Sequence, residues 1–87
     1  MHETGLVRNL IQKVTRIAED ADAHKVVNIK VSLGALAHMS ETHFRDHFYQ
    51  EATGTIAEGA DLIVELLDDV HDPEAQSILL HSVDIEE

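Results

Sequence analysis

The chain has 87 residues, of which 44% are apolar and 26% are charged, and this composition fits one small globular domain rather than a disordered tail. Six Lys and Arg against 17 Asp and Glu give a formal charge of −11 with the seven His counted as neutral, so we expect cations or basic protein surfaces as partners, and neither nucleic acid nor membrane lipid. Because the chain has no cysteine, disulfides, thiolate zinc sites and cysteine nucleophiles are excluded, and any metal must be held by nitrogen or oxygen.

The first residues, Met1-His2-Glu3, lack the basic segment and apolar run of a secretory leader, and no later stretch approaches the roughly 18 to 20 apolar residues of a membrane span. The sequence therefore predicts a cytoplasmic protein. From Gly5 to about Ala23, apolar residues recur at intervals of three and four, which predicts an amphipathic helix with the terminal amine just outside its first turn. The apolar positions are Leu6, Val7, Leu10, Ile11, Val14, Ile17, Ala18 and Ala21.

The middle of the chain predicts a strand and then a second helix. From Val26 to Leu33 the pattern changes to alternation, with the odd-numbered residues, Val27 among them, on the buried face of a strand. Ser40 is a suitable N-cap for a helix that runs to about Ala52. Gly54 then stands where a left-handed helix cap is needed.

The last third predicts two more strands. After a turn at Glu58-Gly59, the segment from Leu62 to Leu67 is apolar enough for a strand that is interior or has a partly covered second face. The acidic segment from Asp68 to Gln76 holds the one proline and predicts a loop. A third strand is predicted from Ile78 to Ile85, with one side formed by Leu79, Val83 and Ile85.

The order helix, strand, helix, strand, strand predicts an α+β fold. The economical arrangement is a two-layer sandwich in which two helices pack on one face of a three-stranded sheet.

The N-terminus carries the residues most suited to binding a metal. A free terminal amine, the amide nitrogen of residue 2 and the imidazole of His2 can close adjacent chelate rings around one ion, and such donors suit square-planar Ni(II) or Cu(II). The imidazole must be neutral and the amine deprotonated, so binding should weaken as the pH falls through the histidine range. The alternative is that His2 is a solvated residue at a frayed terminus.

A weaker candidate site lies on the second predicted helix. His43 and His47 are four residues apart, so both imidazoles can reach a common ion, and His38 can join them from the preceding loop. The alternative is a polar helix face between the buried Phe44 and Phe48.

The remaining polar residues indicate no further site. Three other histidines are expected at the surface. The acidic stretches lack the ligand spacing of a calcium-binding loop. No arrangement of Ser, His and Asp and no phosphate-binding loop indicates an enzyme. The three surface histidines are His24, His71 and His81.

Three segments of the chain are informative in combination. They are the opening Met1-His2-Glu3, the run from Val27 to Leu36, and the segment Gly54-Thr55-Ile56-Ala57-Glu58-Gly59-Ala60 followed by Leu62. Together they resemble the HypA family of nickel-insertion proteins for hydrogenase maturation. The resemblance implies two helices on a three-stranded sheet and nickel ligands from the start of the chain: the His2 side chain, the terminal amine of Met1, and nearby backbone nitrogens including that of Glu3, whose carboxylate is a neighbour.

The sequence departs from the family pattern in two places. The family inserts a zinc-binding domain with paired Cys-x-x-Cys motifs between its last two strands, whereas the segment from Asp68 to Gln76 takes that place here, so we expect no structural zinc. Ala35 stands where many relatives carry Glu. The closing strand still resembles that of the family, which predicts a single HypA-like domain over residues 1–87, either a natural compact variant or a designed deletion.

Three functions remain as hypotheses. The first is a nickel-binding accessory protein that passes Ni(II) to a hydrogenase large-subunit precursor, with a nickel-insertion GTPase as a further partner that the resemblance implies. The second is a metal-independent module that docks its acidic surface on hydrogenase maturation partners. The third is an oligomeric structural protein in which an exposed sheet edge pairs with a second copy to form a homodimer.

Overall fold

A computed structural model describes residues 2–35, 40–73, 75 and 77–86, with residues 2–4 described by their backbone alone. The elements follow the predicted order: α1 (His2–Asp20), β1 (Lys25–Leu33), α2 (Glu41–Ala52), β2 (Asp61–Leu66) and β3 (Ile78–Glu86). β1 is the central strand, parallel to β2 and antiparallel to β3. The structure therefore confirms the α+β fold with two helices and a three-stranded sheet.

One hydrophobic core joins the helices to the sheet. The predicted apolar face of α1 is buried over most of its length, whereas Leu6 is half-buried, Ile17 is 43% exposed and Ala21, beyond the end of the helix, is exposed. α2 contributes two phenylalanines with no exposed surface, and aliphatic side chains of all three strands pack against them. The main core residues are Val7, Leu10, Ile11, Val14, Ala18, Val26, Ile29, Val31, Leu33, Phe44, Phe48 and Leu62.

α1 begins three residues earlier than predicted and ends three residues earlier. Asp22 adopts a left-handed backbone conformation with φ of 54°, which a continuing helix does not permit. The amide of Ala23 donates to the carbonyl of Ala18 and the amide of Asp22 donates to that of Glu19, which are the two bonds of a Schellman cap. The cap ends the helix at Asp20 and turns the chain toward β1.

Two β-bulges decide which side chains of β1 and β3 face the core. The register shifts by one residue at Val27 on β1 and again at His81 on β3. An extra residue reverses the alternation of side chains. Val26 therefore reaches the core in place of Val27, and the prediction that groups Leu79 with Val83 is wrong, because Leu79 lies opposite Ser32 on the other face.

The predicted N-cap and loop are confirmed, whereas Gly54 is left-handed as predicted but donates its amide to Glu58 and does not cap the helix, and β2 lies at an edge of the sheet. The Ser40 hydroxyl accepts a hydrogen bond from the amide of His43 at 3.1 Å, and Gly54 has φ of 83° just beyond α2. β2 is an edge strand rather than an interior one, with Ile63 51% and Leu66 59% exposed. No helix or strand forms in the described part of residues 68–76.

Arg45 joins α2 to the outer edge of β2. Its Nη1 donates to the carbonyl oxygen of Leu62 at 2.6 Å and its Nε to Glu41 at 2.8 Å. Because the carbonyl of Leu33 accepts from the amide of Leu67, the even-numbered residues of β2 direct their backbone groups away from β1. Arg45 therefore covers part of the free edge, and the hydrogen bond to Glu41 is the main reason that its pKa is raised.

Candidate functional site

The predicted N-terminal nickel ligands stand at the first turn of α1. His2 is the first helical residue, whereas Met1 and the side chains of His2 and Glu3 lie outside the described part of the structure. The first four amide groups of a helix have no carbonyl partner within it. In a helix that begins at His2, the amides of His2 and Glu3 donate no hydrogen bond within the helix. A metal ion that binds these nitrogens would therefore break no helical hydrogen bond.

The first half of α1 contacts the last turn of α2. Arg8 Nε contacts the two carboxylate oxygens of Glu51 at 3.2 and 3.3 Å. The Arg8 side chain is 63% exposed, so this ion pair contributes little stability. His43 lies near the N-terminal end of α2, so the two candidate metal sites are on different helices.

The structure brings His43 and His47 together, as their spacing predicts. Their ring centroids are 4.6 Å apart and the ring planes are tilted by 30°. Phe44 and Phe48 point into the core from the same helix, while His43 is exposed and His47 half-buried. The third proposed member, His38, lies outside the described residues, and among the described ones no group of three or more His, Asp or Glu could hold a metal.

A polar cluster that the sequence did not predict lies on the face of the sheet opposite the helices. Ser32 on β1 has no exposed surface, yet its hydroxyl donates to Glu65 Oε1 on β2 at 3.0 Å and lies 2.5 Å from His81 Nε2 on β3. Alternation along β1 places Ser32 on this face, but no signal in the sequence places His81 beside it, since the contact depends on the bulge. His81 is exposed, as predicted, and so are His24 and His71.

The contact between Ser32 and His81 is structural. A serine beside a histidine resembles a nucleophile with its general base. Here the hydroxyl proton goes to Glu65, so the oxygen accepts from His81 Nε2, and the fully buried oxygen offers no room for a substrate. One hydroxyl therefore links all three strands.

A groove lies between α1 and β3. It has a volume of about 210 Å³ and is lined by Leu6 and Leu10 of α1 and by Ile78 and Leu80 of β3, among other residues. Sites for small molecules usually enclose about 300 to 1,000 Å³ with a few convergent polar groups. This groove falls below that range and is mainly a gap between two elements of the core.

Comparison with known families decides the identity of the chain. The model of the family described as "HypA: Hydrogenase/urease nickel incorporation, metallochaperone, hypA" matches residues 1–71. The chain belongs to the HypA family. This is a family of metallochaperones and maturation factors, so the chain is not an enzyme. In the described part of this HypA-family chain, no helix is both long enough and apolar enough to cross a membrane.

Relatives and solved structures agree with this assignment. The hydrogenase maturation factor HypA of Methanosarcina mazei is 34% identical over 67 residues, which cover 77% of this chain and 49% of that protein. The hydrogenase maturation factor HybF of Escherichia coli K12 is 34% identical over 62 residues, which cover 71% of this chain and 55% of that protein. The chain thus spans about half the length of the relatives it matches.

The fold is shared with solved HypA structures. The solution structure of the Ni metallochaperone HypA from Helicobacter pylori matches with a TM-score of 0.78 at 16% identity, covering 97% of both chains. A second solution structure, of a HypA protein, matches with a TM-score of 0.69 at 18% identity, covering 98% of this chain and 96% of that one. At these identities the likeness shows the fold, which is the two-layer arrangement that the element order predicts.

Proposed function

We propose that this HypA-family chain binds Ni(II) at its N-terminus and transfers it to a hydrogenase large-subunit precursor. The ligands are the terminal amine of Met1, the backbone nitrogens of His2 and Glu3, and the imidazole of His2. The observation that carries the proposal is the Met1-His2-Glu3 start in a chain whose residues 1–71 match a family described by nickel incorporation. Nickel is the cargo, so the reaction is ligand exchange without covalent change.

The chemistry of these donors fits a transfer site. Four nitrogens in one plane suit Ni(II). The positive end of the α1 dipole opposes a cation at this position, but amide nitrogens that have lost their protons supply negative charge at the same place. A helix terminus opens locally at low free energy, which allows the ligands to be exchanged one at a time while the core stays folded.

The chain's relatives favour a hydrogenase as the acceptor. The family description names both hydrogenase and urease, whereas the M. mazei and E. coli relatives are named as hydrogenase maturation factors. Metal affinity generally rises from Ni(II) to Cu(II), so selection of nickel in the cytoplasm would depend on the partner and on metal availability. A nickel-insertion GTPase is the proposed further partner, and the −11 charge suits docking on a basic surface.

The domain organisation is part of the same proposal. Residues 1–87 act as a single nickel-binding domain in which the short segment 68–76 stands in for the zinc-binding domain of the family. The chain has no cysteine to hold a thiolate zinc site, so the nickel site should work without structural zinc.

A nickel titration of the untagged, unblocked protein tests the proposal. We expect one high-affinity site with the yellow absorption of square-planar Ni(II), and loss of that absorption in His2→Ala. His24→Ala is the matched control, because His24 is an exposed histidine outside the site, and it should bind as the parent protein does. Unchanged yellow absorption in His2→Ala would overturn the assignment of the ligands.

An assay of hydrogenase precursor activation distinguishes the two proposed functions, nickel transfer and metal-independent docking. If His2→Ala activates the precursor as well as the parent protein does, the chain acts by docking alone. The strong net charge is the observation that favours this second function.

A further inference from the structure

We infer that His43 and His47 form a second metal site, on α2, which binds a borderline divalent ion such as Ni(II) through two imidazoles. The inference goes beyond the N-terminal site and does not depend on it. The observation that carries it is the side-by-side placement of the two rings, with centroids 4.6 Å apart, on the outward face of a helix.

The distance between the rings fits chelation of one ion. Metal–nitrogen bonds to imidazole are about 2.0 to 2.1 Å, so two neighbouring ligands of one ion place their nitrogens about 3 Å apart. The rotation of a histidine ring about its last side-chain bond is broad. The centroid separation of 4.6 Å therefore lets one nitrogen of each ring reach a common ion without a change in the helix backbone.

The helix holds the two residues in place before any metal binds. In a helix the side chain at position i+4 leans toward the N-terminus and over position i, so His47 leans over His43. Phe44 and Phe48, with no exposed surface, anchor the adjacent face of α2 in the core, and the Ser40 cap fixes its first turn. The geometry is thus set by the core and does not have to be organised by the ion.

The electrostatic setting attracts cations. The chain carries −11 overall, and Asp46 is an exposed carboxylate between the two histidines in the sequence. The positive end of the α2 dipole acts mainly within the first turn, which contains His43, whereas His47 lies one turn further along.

The number of ligands determines how the site would behave. No third His, Asp or Glu completes a cluster among the described residues, so the two imidazoles leave coordination positions open to water or to a further ligand. An ion held by two imidazoles and water is bound weakly and can accept a ligand from another protein. This arrangement suits transit of an ion and contrasts with the closed ligand sets of structural metal sites.

Paramagnetic Ni(II) distinguishes this site from the N-terminal one. Square-planar Ni(II) is diamagnetic, whereas Ni(II) with two imidazoles and water is octahedral and paramagnetic. We would titrate Ni(II) into the full chain carrying His2→Ala and follow the backbone amide signals by NMR. The expected result is saturable broadening centred on residues 43–47 of α2.

Substitutions at the two histidines complete the test. In the His2→Ala background, His43→Ala and His47→Gln should each weaken Ni(II) binding by about tenfold or more, since one ligand of the chelate is lost. His24→Ala is the matched control and should leave the titration unchanged, and the amide spectrum of each variant verifies the fold. Broadening centred on other residues, or an unchanged affinity in both folded variants, would overturn the inference.

Discussion

Among the residues that the structure describes, Asp22 is the non-glycine residue with a left-handed backbone conformation. It is exposed and has φ of 54° at the position in the Schellman cap where glycine is usual. Asp22→Gly should therefore raise the free energy of unfolding by about 0.5 to 1 kcal/mol in urea denaturation, because glycine removes the Cβ strain of the left-handed conformation. Asp22→Ala is the control for charge near the helix C-terminus, because it removes the carboxylate and keeps the Cβ. An equal gain in both variants would assign the effect to charge and contradict the backbone explanation.

Ser32 is the residue that links the three strands through its side chain. Ser32→Ala should lower the free energy of unfolding by about 1 kcal/mol, the usual contribution of a hydrogen bond whose remaining partners can turn to water. Glu65 and His81 are exposed and can do so. In a double-mutant cycle, His81→Ala should cost less in the Ser32→Ala background than in the parent protein. Strict additivity of the two substitutions would show that the contact contributes nothing.

The residues of the candidate sites differ in how far the sequence could locate them. The proximity of His43 and His47 follows from helical spacing alone and is confirmed, because both ends of the contact lie on one element. The cluster of Ser32, Glu65 and His81 joins three strands and depends on a bulge, which no local pattern reveals. Contacts between residues of one helix can therefore be predicted from the sequence. Contacts between strands can be predicted only when the strand register is known.

At the scale of elements, α2 owes its position to two phenylalanines. Phe44 and Phe48 have no exposed surface and their ring centroids are 6.3 Å apart. Phe48→Ala should lower the free energy of unfolding by about 3 to 5 kcal/mol, because a large cavity replaces the ring. That is a large part of the roughly 4 to 13 kcal/mol expected for a domain of this size. Tyr49→Ala is the control: its side chain is 44% exposed, and a loss as large as that of Phe48→Ala would contradict the assignment of the core.

The elements themselves were predicted because their patterns are local. Apolar residues at three- and four-residue intervals mark α1, and Ser40 marks the start of α2. The end of α1 was missed, since an aspartate occupies the left-handed position that a glycine would have signalled. The edge position of β2 was also not determined, because its apolar residues suit an interior strand equally well and strand order is a property of the whole sheet.

At the scale of the whole molecule, the excess of negative charge opposes the compact state. Six basic residues face 17 acidic ones, and the described ion pairs Arg8–Glu51 and Arg45–Glu41 lie at the surface. Salt should therefore stabilise the fold, because it screens repulsion among like charges more than it weakens these pairs. Raising NaCl from about 10 mM to 150 mM should raise the Tm by a few degrees, since about 1 kcal/mol corresponds to about 4 to 8 °C at this size. A lower Tm in salt would show that attractive pairs dominate instead.

The two proposed nickel sites should differ in their effect on the stability of the whole chain. A ligand stabilises a protein only to the extent that it binds the folded form better than the unfolded form. The N-terminal ligands are adjacent in the sequence and remain so in the unfolded chain, whereas the imidazoles of His43 and His47 meet only when α2 is folded. His43→Ala keeps only the N-terminal site. Binding of Ni(II) to this variant should therefore leave its Tm almost unchanged.

In His2→Ala, which keeps only the α2 site, Ni(II) should raise the Tm progressively with concentration. The corresponding increase in the free energy of unfolding is at most about 2.7 kcal/mol when the ion is present at a hundred times its Kd. Differential scanning calorimetry of the two variants, each with and without Ni(II), makes the comparison. The same Tm shift in both variants would mean that the N-terminal ligands require the folded helix, and no shift in His2→Ala would remove the support for the site on α2.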